Sequence, residues 1–339
     1  MKEIIEADNE LKEEILKKLT PKREASELLA ASYGRIGGYE SKSERVKGCG
    51  TFLEFRQPVS DNAEKWRLHS ANFCRDRLCP LCSMRRAYKI FGQVSQIMNV
   101  IEDKYAFAFL TLTIPNCDAE TLDKTLNKMQ KGFRKYVKYK PIKKAVLGIF
   151  RSLEVTRNKK DGSYHPHFHC ILALNKNYYT SRDYIKRNDW LKMWQKAMKD
   201  PTITQVDIRK CKSKGNKYGE TAVKSLHAAV AEAAKYSVKS VDYLIPDDPE
   251  LTDDIVFTLS SALHGKRLCS FSGVFEEAQK ELKLDDCENG DFIHIDSDKL
   301  RPDVAYMIRR YSWSCGAYKL TEQTIEMNVE IEAKDDEDI

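Results

Sequence analysis

At 339 residues, 42% hydrophobic and 32% charged, the chain can bury a sizeable core spread over two or three modules. No apolar run approaches the roughly 20 residues of a membrane helix. The opening Met1-Lys2-Glu3-Ile4-Ile5-Glu6 lacks the apolar core of a signal peptide, so the expectation is a cytoplasmic protein with no membrane partner. The net charge of +6 is uneven: residues 281–339 carry 7 Lys/Arg against 16 Asp/Glu, or −9, which leaves +15 on the remainder. A basic body of this kind suits a polyanionic partner.

Residues 1–45 are charge-rich, with Ile4, Leu11, Ile15 and Leu19 at loosely helical spacing. They read as a helix or arm without chemistry. A second segment, 46–100, opens on an expected strand at 49–55 and then brings Cys74, Cys79, Pro80, Leu81 and Cys82. The tight Cys79–Cys82 knuckle lets two thiolates reach one ion. With Cys74 and Cys49 it makes a four-cysteine Zn²⁺ site closed to chemistry, His69 being the alternative fourth ligand. In a reducing compartment such a cluster binds metal rather than forming disulfides. Arg75, Arg77, Arg85 and Arg86 surround the knuckle and are either phosphate contacts or a solvated face. A helix is expected from Ser83 to about Met98.

The third segment, 101–245, begins with a near-continuous apolar run at 106–114, as a central buried strand requires. A helix over 119–140 follows, with Leu122, Leu126, Met129, Phe133 and Val137 on one stripe. Lys128, Arg134 and Lys135, interleaved with Tyr136 and Tyr139, are candidate DNA contacts. Residues 148–156 read as a strand and 158–163 as a turn. Residues 164–174 then hold His165, His167 and His169 in alternation, on one strand face. A hairpin turning about residues 160 and 161 brings Glu154 near His167. Two imidazoles and a carboxylate give a three-ligand site with open positions, which suits a catalytic divalent ion. His165 is left to close the turn or to meet substrate. A helix over 183–198 and a strand over 203–208 lead into a basic loop whose Arg209, Lys212 and Lys214 are further candidate DNA contacts.

Residues 220–241 read as one helix with Val223, Leu226, Val230, Ala234, Val238 and Val241 on one side. Glu232, Tyr236 and Lys239 fall on the other, at i, i+4 and i+7. Tyrosine is a poor nucleophile while protonated, and a nearby ammonium and a metal-bound electrophile both ease its attack. The alternative is a surface Glu–Lys pair beside a half-buried tyrosine. The last segment, 246–339, follows a Pro-rich break. It is expected to be mainly helical, with a helix over 273–284, no catalytic constellation, and an acidic tail over 334–339.

Together these motifs resemble the HUH endonucleases, and among them the rolling-circle replication initiators (Rep proteins) of small Gram-positive plasmids. The resemblance rests on Phe109-Leu110-Thr111-Leu112-Thr113, His165-Pro166-His167-Phe168-His169 and Lys235-Tyr236-Ser237-Val238-Lys239, in that order. It extends to residues 74–86 and 265–268, about two thirds of the chain. It implies an α+β fold in which a central antiparallel sheet with flanking helices holds the hairpin, beside the small zinc module. It implies His167 and His169 as ligands of Mg²⁺ or Mn²⁺, with imidazoles favouring Mn²⁺. Tyr236 would nick plasmid origin DNA, single-stranded or in a hairpin, leaving a 5′-phosphotyrosine and a 3′-OH for leading-strand synthesis, with a host helicase and polymerase as candidate partners. Glu232 matches a branch in which a glutamate four residues before the tyrosine activates water at termination. Tyr243, the counterpart of a second tyrosine in other relatives, is expected to pack. A non-catalytic zinc-finger DNA-binding regulator is the competing class. Relaxases place the tyrosine ahead of the histidines, and small transposases lack the cysteine module.

Overall fold

β-branched and aromatic runs assemble into two sheets in a computed structural model that describes residues 16–59, 64–212, 224–235, 237–294 and 304–327. Two helices come first, α1 (Lys17–Arg35) and α2 (Glu40–Lys47), then β1 (Phe52–Pro58), β2 (Arg67–Ala71) and the long α3 (Pro80–Ile101). The middle of the chain supplies β3 (Ala106–Thr113), α4 (Leu122–Tyr136), α5 (Lys140–Ala145), β4 (Val146–Arg157), β5 (Tyr164–Leu174), α6 (Arg187–Met198), β6 (Val206–Lys212), β7 (Lys224–Ser225) and α7 (Leu226–Ala233). The last part holds α8 (Pro249–Leu263), β8 (Cys269–Gly273), α9 (Val274–Glu281), β9 (Ala305–Ser314) and β10 (Ala317–Met327). No helix among the described residues is long and apolar enough to cross a membrane.

The larger sheet has the order β7-β6-β3-β5-β4-β8 and is antiparallel except where β6 meets β7. Its strands are buried on both sides, which is why β3 and β5 are nearly continuous apolar runs. Strand parity sorts the two cores. Leu110, Leu112, Leu153, Phe168 and Cys170 pack under Leu122, Leu126 and Met129 of α4 and under Trp190 and Trp194 of α6. Phe107, Phe109, Phe150 and Ile171 pack on the other side, against α3, α7 and α9. The histidines belong to this second face, because β5 alternates and Ile171 shares their parity.

The smaller sheet, β10-β9-β1-β2, overturns the expectation of a mainly helical C-terminal region. Ala305–Ser314 pairs with β1 along its whole length, Phe52 opposite Ser312 and Pro58 opposite Tyr306. Positive φ at Cys315 and Gly316 makes the two-residue turn that returns the chain as β10. Two arginines disguise the strand in the sequence. Arg309 is buried with its guanidinium over the Trp66 ring, and Arg310 bridges Glu54 and Glu322 at 2.7 Å each.

The helix expected over 220–241 is also shorter than its apolar period. Among the described residues it runs from Leu226 to Ala233. Beyond it the Ser237 carbonyl accepts from the Val155 N–H at 2.8 Å, and the Leu268 carbonyl accepts from Leu153 at 2.7 Å. These bonds complete the edge of β4 past the end of β8, where unpaired N–H groups would be costly. Ser237, Val238, Ser240 and Val241 are poor helix formers, so the edge prevails.

Candidate active site and metal centres

The cysteine knuckle is built by backbone as well as spacing. Cys49, Cys74, Cys79 and Cys82 converge, with sulfurs 3.5 Å apart for Cys79–Cys49 and 3.6 Å for Cys49–Cys82 and Cys74–Cys82. A tetrahedral ion with Zn–S of about 2.3 Å would set neighbouring sulfurs about 3.8 Å apart, so the four fit Zn²⁺. Left-handed backbone at Arg75 turns successive N–H groups onto the sulfurs: Arg75 to Cys82 at 3.1 Å and Asp76 to Cys74 at 3.4 Å. Burial opposes the Cys79 thiolate, but hydrogen bonds from Cys49, Cys74, Cys82 and Ser26 outweigh it and hold its pKa well below the ordinary thiol value. His69 is not in this shell; its ring packs edge-on against His294.

The arginines beside the knuckle hold the fold together. Arg77 pairs with the buried Glu288 at 2.9 Å and donates to the carbonyls of Leu263 and Lys266. Arg85 donates to the carbonyls of Phe292 and Ile293, and Arg86 to that of Glu288.

The second cluster lies on the larger sheet. Pairing of β4 with β5 sets Glu154 directly opposite His167 and Ser152 opposite His169. Glu154 Oε2 lies 3.2 Å from His167 Nε2 and 3.0 Å from His169 Nε2, and the two nitrogens are 3.1 Å apart. Three ligands on one face of an octahedron, each about 2.1 Å from an ion, stand about 3.0 Å apart, whereas tetrahedral ligands at that distance stand about 3.4 Å apart. The separations suit three ligands of one ion, which would leave further positions open. Burial works to raise the Glu154 pKa, but hydrogen bonds and charge from His167 and His169 win and hold it far below the usual carboxylate range.

Outer contacts fix both rings. His167 Nδ1 donates to the His165 carbonyl at 3.2 Å, and His169 Nδ1 lies 3.2 Å from Thr111 Oγ1, so Nε2 of both rings faces the shared point, where a bound ion would take the place of the Nε2 protons. Phe109 lies against the His169 ring with centroids 5.4 Å apart. His165 stands one step out, its Nδ1 donating to Asn116 Oδ1 at 2.8 Å. Burial and then the charge of His167 lower its pKa.

Tyr236 lies outside the described residues, as does Lys214; the side chain of Lys212 does too. Among the described residues α7 ends at Ala233, so Glu232 and Lys239 do not share one helical face. Glu232 pairs with Lys235 at 2.7 Å. Lys239 sits on extended backbone before a short 3₁₀ turn, exposed. Asp242 follows; burial raises its carboxyl pKa, Lys239 and Lys159 pull it down, and Glu154 adds to the rise. Tyr243 is buried and its hydroxyl donates to the Leu78 carbonyl.

Residues 65–319 match the profile of a family described as replication protein. The chain belongs to the Rep family of plasmid replication proteins. It is 36% identical over 294 residues to a Protein rep of Bacillus amyloliquefaciens, covering 82% of this chain and 85% of that one. With a Protein rep of Lactiplantibacillus plantarum it shares 38% over 262 residues, covering 75% and 79%. With a replication protein of Staphylococcus aureus it shares 37% over 231 residues, covering 67% and 96%. No solved structure matches. The family match takes in the larger sheet, β2 and β9 of the smaller one, Glu154, both histidines and three of the four cysteines.

Within this Rep chain the candidate DNA contacts divide between the two faces. Arg209 stands opposite Phe109 and is therefore on the histidine face, paired with Asp207 at 2.8 Å. Lys128, Arg134 and Lys135 are exposed on α4, which covers the opposite face; Lys128 pairs with Asp200 at 3.4 Å. Tyr136 is buried, its hydroxyl donating to the Trp190 carbonyl at 3.3 Å. Thr111 and Asn116 were missed as site residues. The signal for Thr111 was available, since Thr111 and Thr113 break an otherwise apolar central strand on one parity.

Proposed function

We propose that this Rep protein initiates rolling-circle replication by cutting one strand of its plasmid origin and joining the 5′ end to itself. The observation that carries the reading is the convergence of Glu154, His167 and His169 on one point of a buried sheet face, beside the segment that contains residue 236. Ser237 is hydrogen-bonded to Val155, the residue after Glu154. Tyr236 is assigned as nucleophile from its motif. Its phenolate oxygen forms a bond to phosphorus, the bond from phosphorus to the 3′ oxygen breaks, and that oxygen leaves to take up a proton as a free 3′-OH. The phosphotyrosyl ester is close in energy to the bond replaced, so the step is reversible and transferable. The Lys239 ammonium favours the deprotonated phenol. Glu232 is assigned to activate water for the terminating cleavage.

Glu154, His167 and His169 would hold the divalent ion, Mn²⁺ or Mg²⁺, which supplies charge stabilisation at a phosphoryl oxygen. Zn²⁺ on the four cysteines is structural. On this reading the larger antiparallel sheet is of the HUH type, and the freed 3′-OH would be handed to host helicase and polymerase. Arg209 would contact the strand on the histidine face, with Lys212 and Lys214 extending it. Lys128, Arg134 and Lys135 would take flanking DNA around the sheet edge.

The test is incubation with single-stranded origin DNA and Mn²⁺, scored as a covalent adduct on a denaturing gel. Adduct is expected from the wild type and none from Tyr236→Phe; equal yield from both rejects the nucleophile. Glu232→Ala is expected to form adduct and to release it poorly, and normal release moves the water-activating role elsewhere.

A further inference from the structure

A cleft of about 310 Å³ opens between α1, the first turn of α3 and the segment that follows α7. Its walls are apolar: Pro80, Val238, Val241 and the ring of Tyr243, which is pinned by its bond to the Leu78 carbonyl. Its charged groups are the ammoniums of Lys22, Lys235 and Lys239, drawn from regions more than two hundred positions apart in the chain. Glu232 tempers Lys235 at 2.7 Å, and Asp242 acts on Lys239. Val241 is 61% exposed at the mouth, an unusual cost for a branched apolar side chain. A site for a bare anion would be polar throughout, and a site for an apolar side chain would not carry three ammoniums. Apolar walls with a cationic rim fit a base and its flanking phosphates. The volume lies at the low end of small-molecule pockets, the size for one nucleotide rather than a run.

We propose that this cleft receives one unstacked nucleotide of the strand being cut, so that the zinc module and the segment around residue 236 grip the DNA together. The proposal rests on the strand-cutting reading for the identity of its occupant. Continuity supports it: the lining segment is the one whose Ser237 carbonyl bonds to Val155 beside Glu154. A strand held by a phosphate at the histidine cluster would then run on to this segment.

The experiment uses the full zinc-loaded chain and fluorescence anisotropy with two probes of equal charge, a twelve-residue oligothymidylate and an abasic twelve-mer. Stacking of one base corresponds to about a 5- to 150-fold preference for the thymidylate. Val241→Trp, which fills the mouth from an exposed position, is expected to abolish that preference while leaving abasic binding unchanged. Lys22→Glu, on α1, is expected to weaken both probes. Ultraviolet crosslinking of the thymidylate is expected to mark residues 238–243. A preference retained in Val241→Trp, or crosslinks confined to other segments, overturns the proposal. The two readings fail separately. Wild type that forms no covalent adduct but loses its base preference in Val241→Trp rejects the cutting and keeps the cleft. Adduct formation with the preference intact in Val241→Trp does the reverse.

Discussion

Replacing Thr111 by valine removes one hydrogen bond and almost no volume, and its effect is expected at the metal. In the wild type Thr111 Oγ1 lies 3.2 Å from His169 Nδ1 and can accept its proton, so that Nε2, the atom facing Glu154 and His167, can give up its own proton to bind an ion. In Thr111→Val the ring keeps a buried N–H without a partner, or changes tautomer and turns its proton toward the ion. Outer-shell losses of this kind cost about 10- to 100-fold in metal affinity, or about 1.4–2.8 kcal/mol. An unpaired buried donor costs about 1–3 kcal/mol, so the two routes agree. The assay is Mn²⁺ titration of the zinc-loaded chain, with free Mn²⁺ read by electron paramagnetic resonance. Thr113→Val is the control: Thr113 stands opposite His167 on the same face but its hydroxyl donates to the Gln205 carbonyl at 3.3 Å rather than pairing with an imidazole nitrogen. Thr111→Ser should retain wild-type affinity. An unchanged Mn²⁺ affinity in Thr111→Val would refute the tautomer argument.

In the metal-free chain Glu154 has a depressed pKa, so its stabilisation is present above the unfolded value of about 4.3 and is lost as pH falls toward the folded one. Glu154→Gln should therefore be less stable than wild type in urea at pH 6, with the gap closing below about pH 4; a gap independent of pH contradicts this. Cys82→Ser leaves three thiolates and removes the sulfur that accepts from the Arg75 N–H. Zinc content by mass spectrometry should drop below one per chain, with loss of cooperative melting. A β-carbon on Gly148 would meet the Val274 backbone nitrogen at 2.9 Å and the Ser272 carbonyl at 3.0 Å. Gly148→Ala should cost about 1–3 kcal/mol in urea unfolding, against no change for Gly37→Ala, where nothing lies within 4 Å.

Much of the metal face was legible because its signals are local. Alternation places His165, His167 and His169 together, and the turn formed by Asn158, Asp161 and Gly162 fixes a register that puts Glu154 opposite His167. The cysteine spacing carried the knuckle in the same way. What escaped depends on partners distant in sequence. The apolar period through Val238 and Val241 continues a helix on paper, but the Val155 N–H claims the Ser237 carbonyl and the chain leaves the helix. Arg309 and Arg310 hide a strand because Trp66 and Glu54 that receive them lie far upstream. Arg77 and Arg85 looked like phosphate contacts, since composition does not reveal that carbonyls of the C-terminal half occupy them. The basic side of α4 reads as a set of candidate DNA contacts, and only strand parity shows that it lies on the sheet face away from the histidines.

The pairing of β1 with β9 also dictates the order in which the molecule can be made. A ribosome delivers Phe52–Pro58 long before Ala305–Ser314, so until then one edge of β1 has no partner. The nascent knuckle therefore waits, with an open strand liable to aggregate, for nearly the whole message to be translated. So distant a contact is slow to close, and prematurely terminated products would lack the strand that covers the open edge of β1.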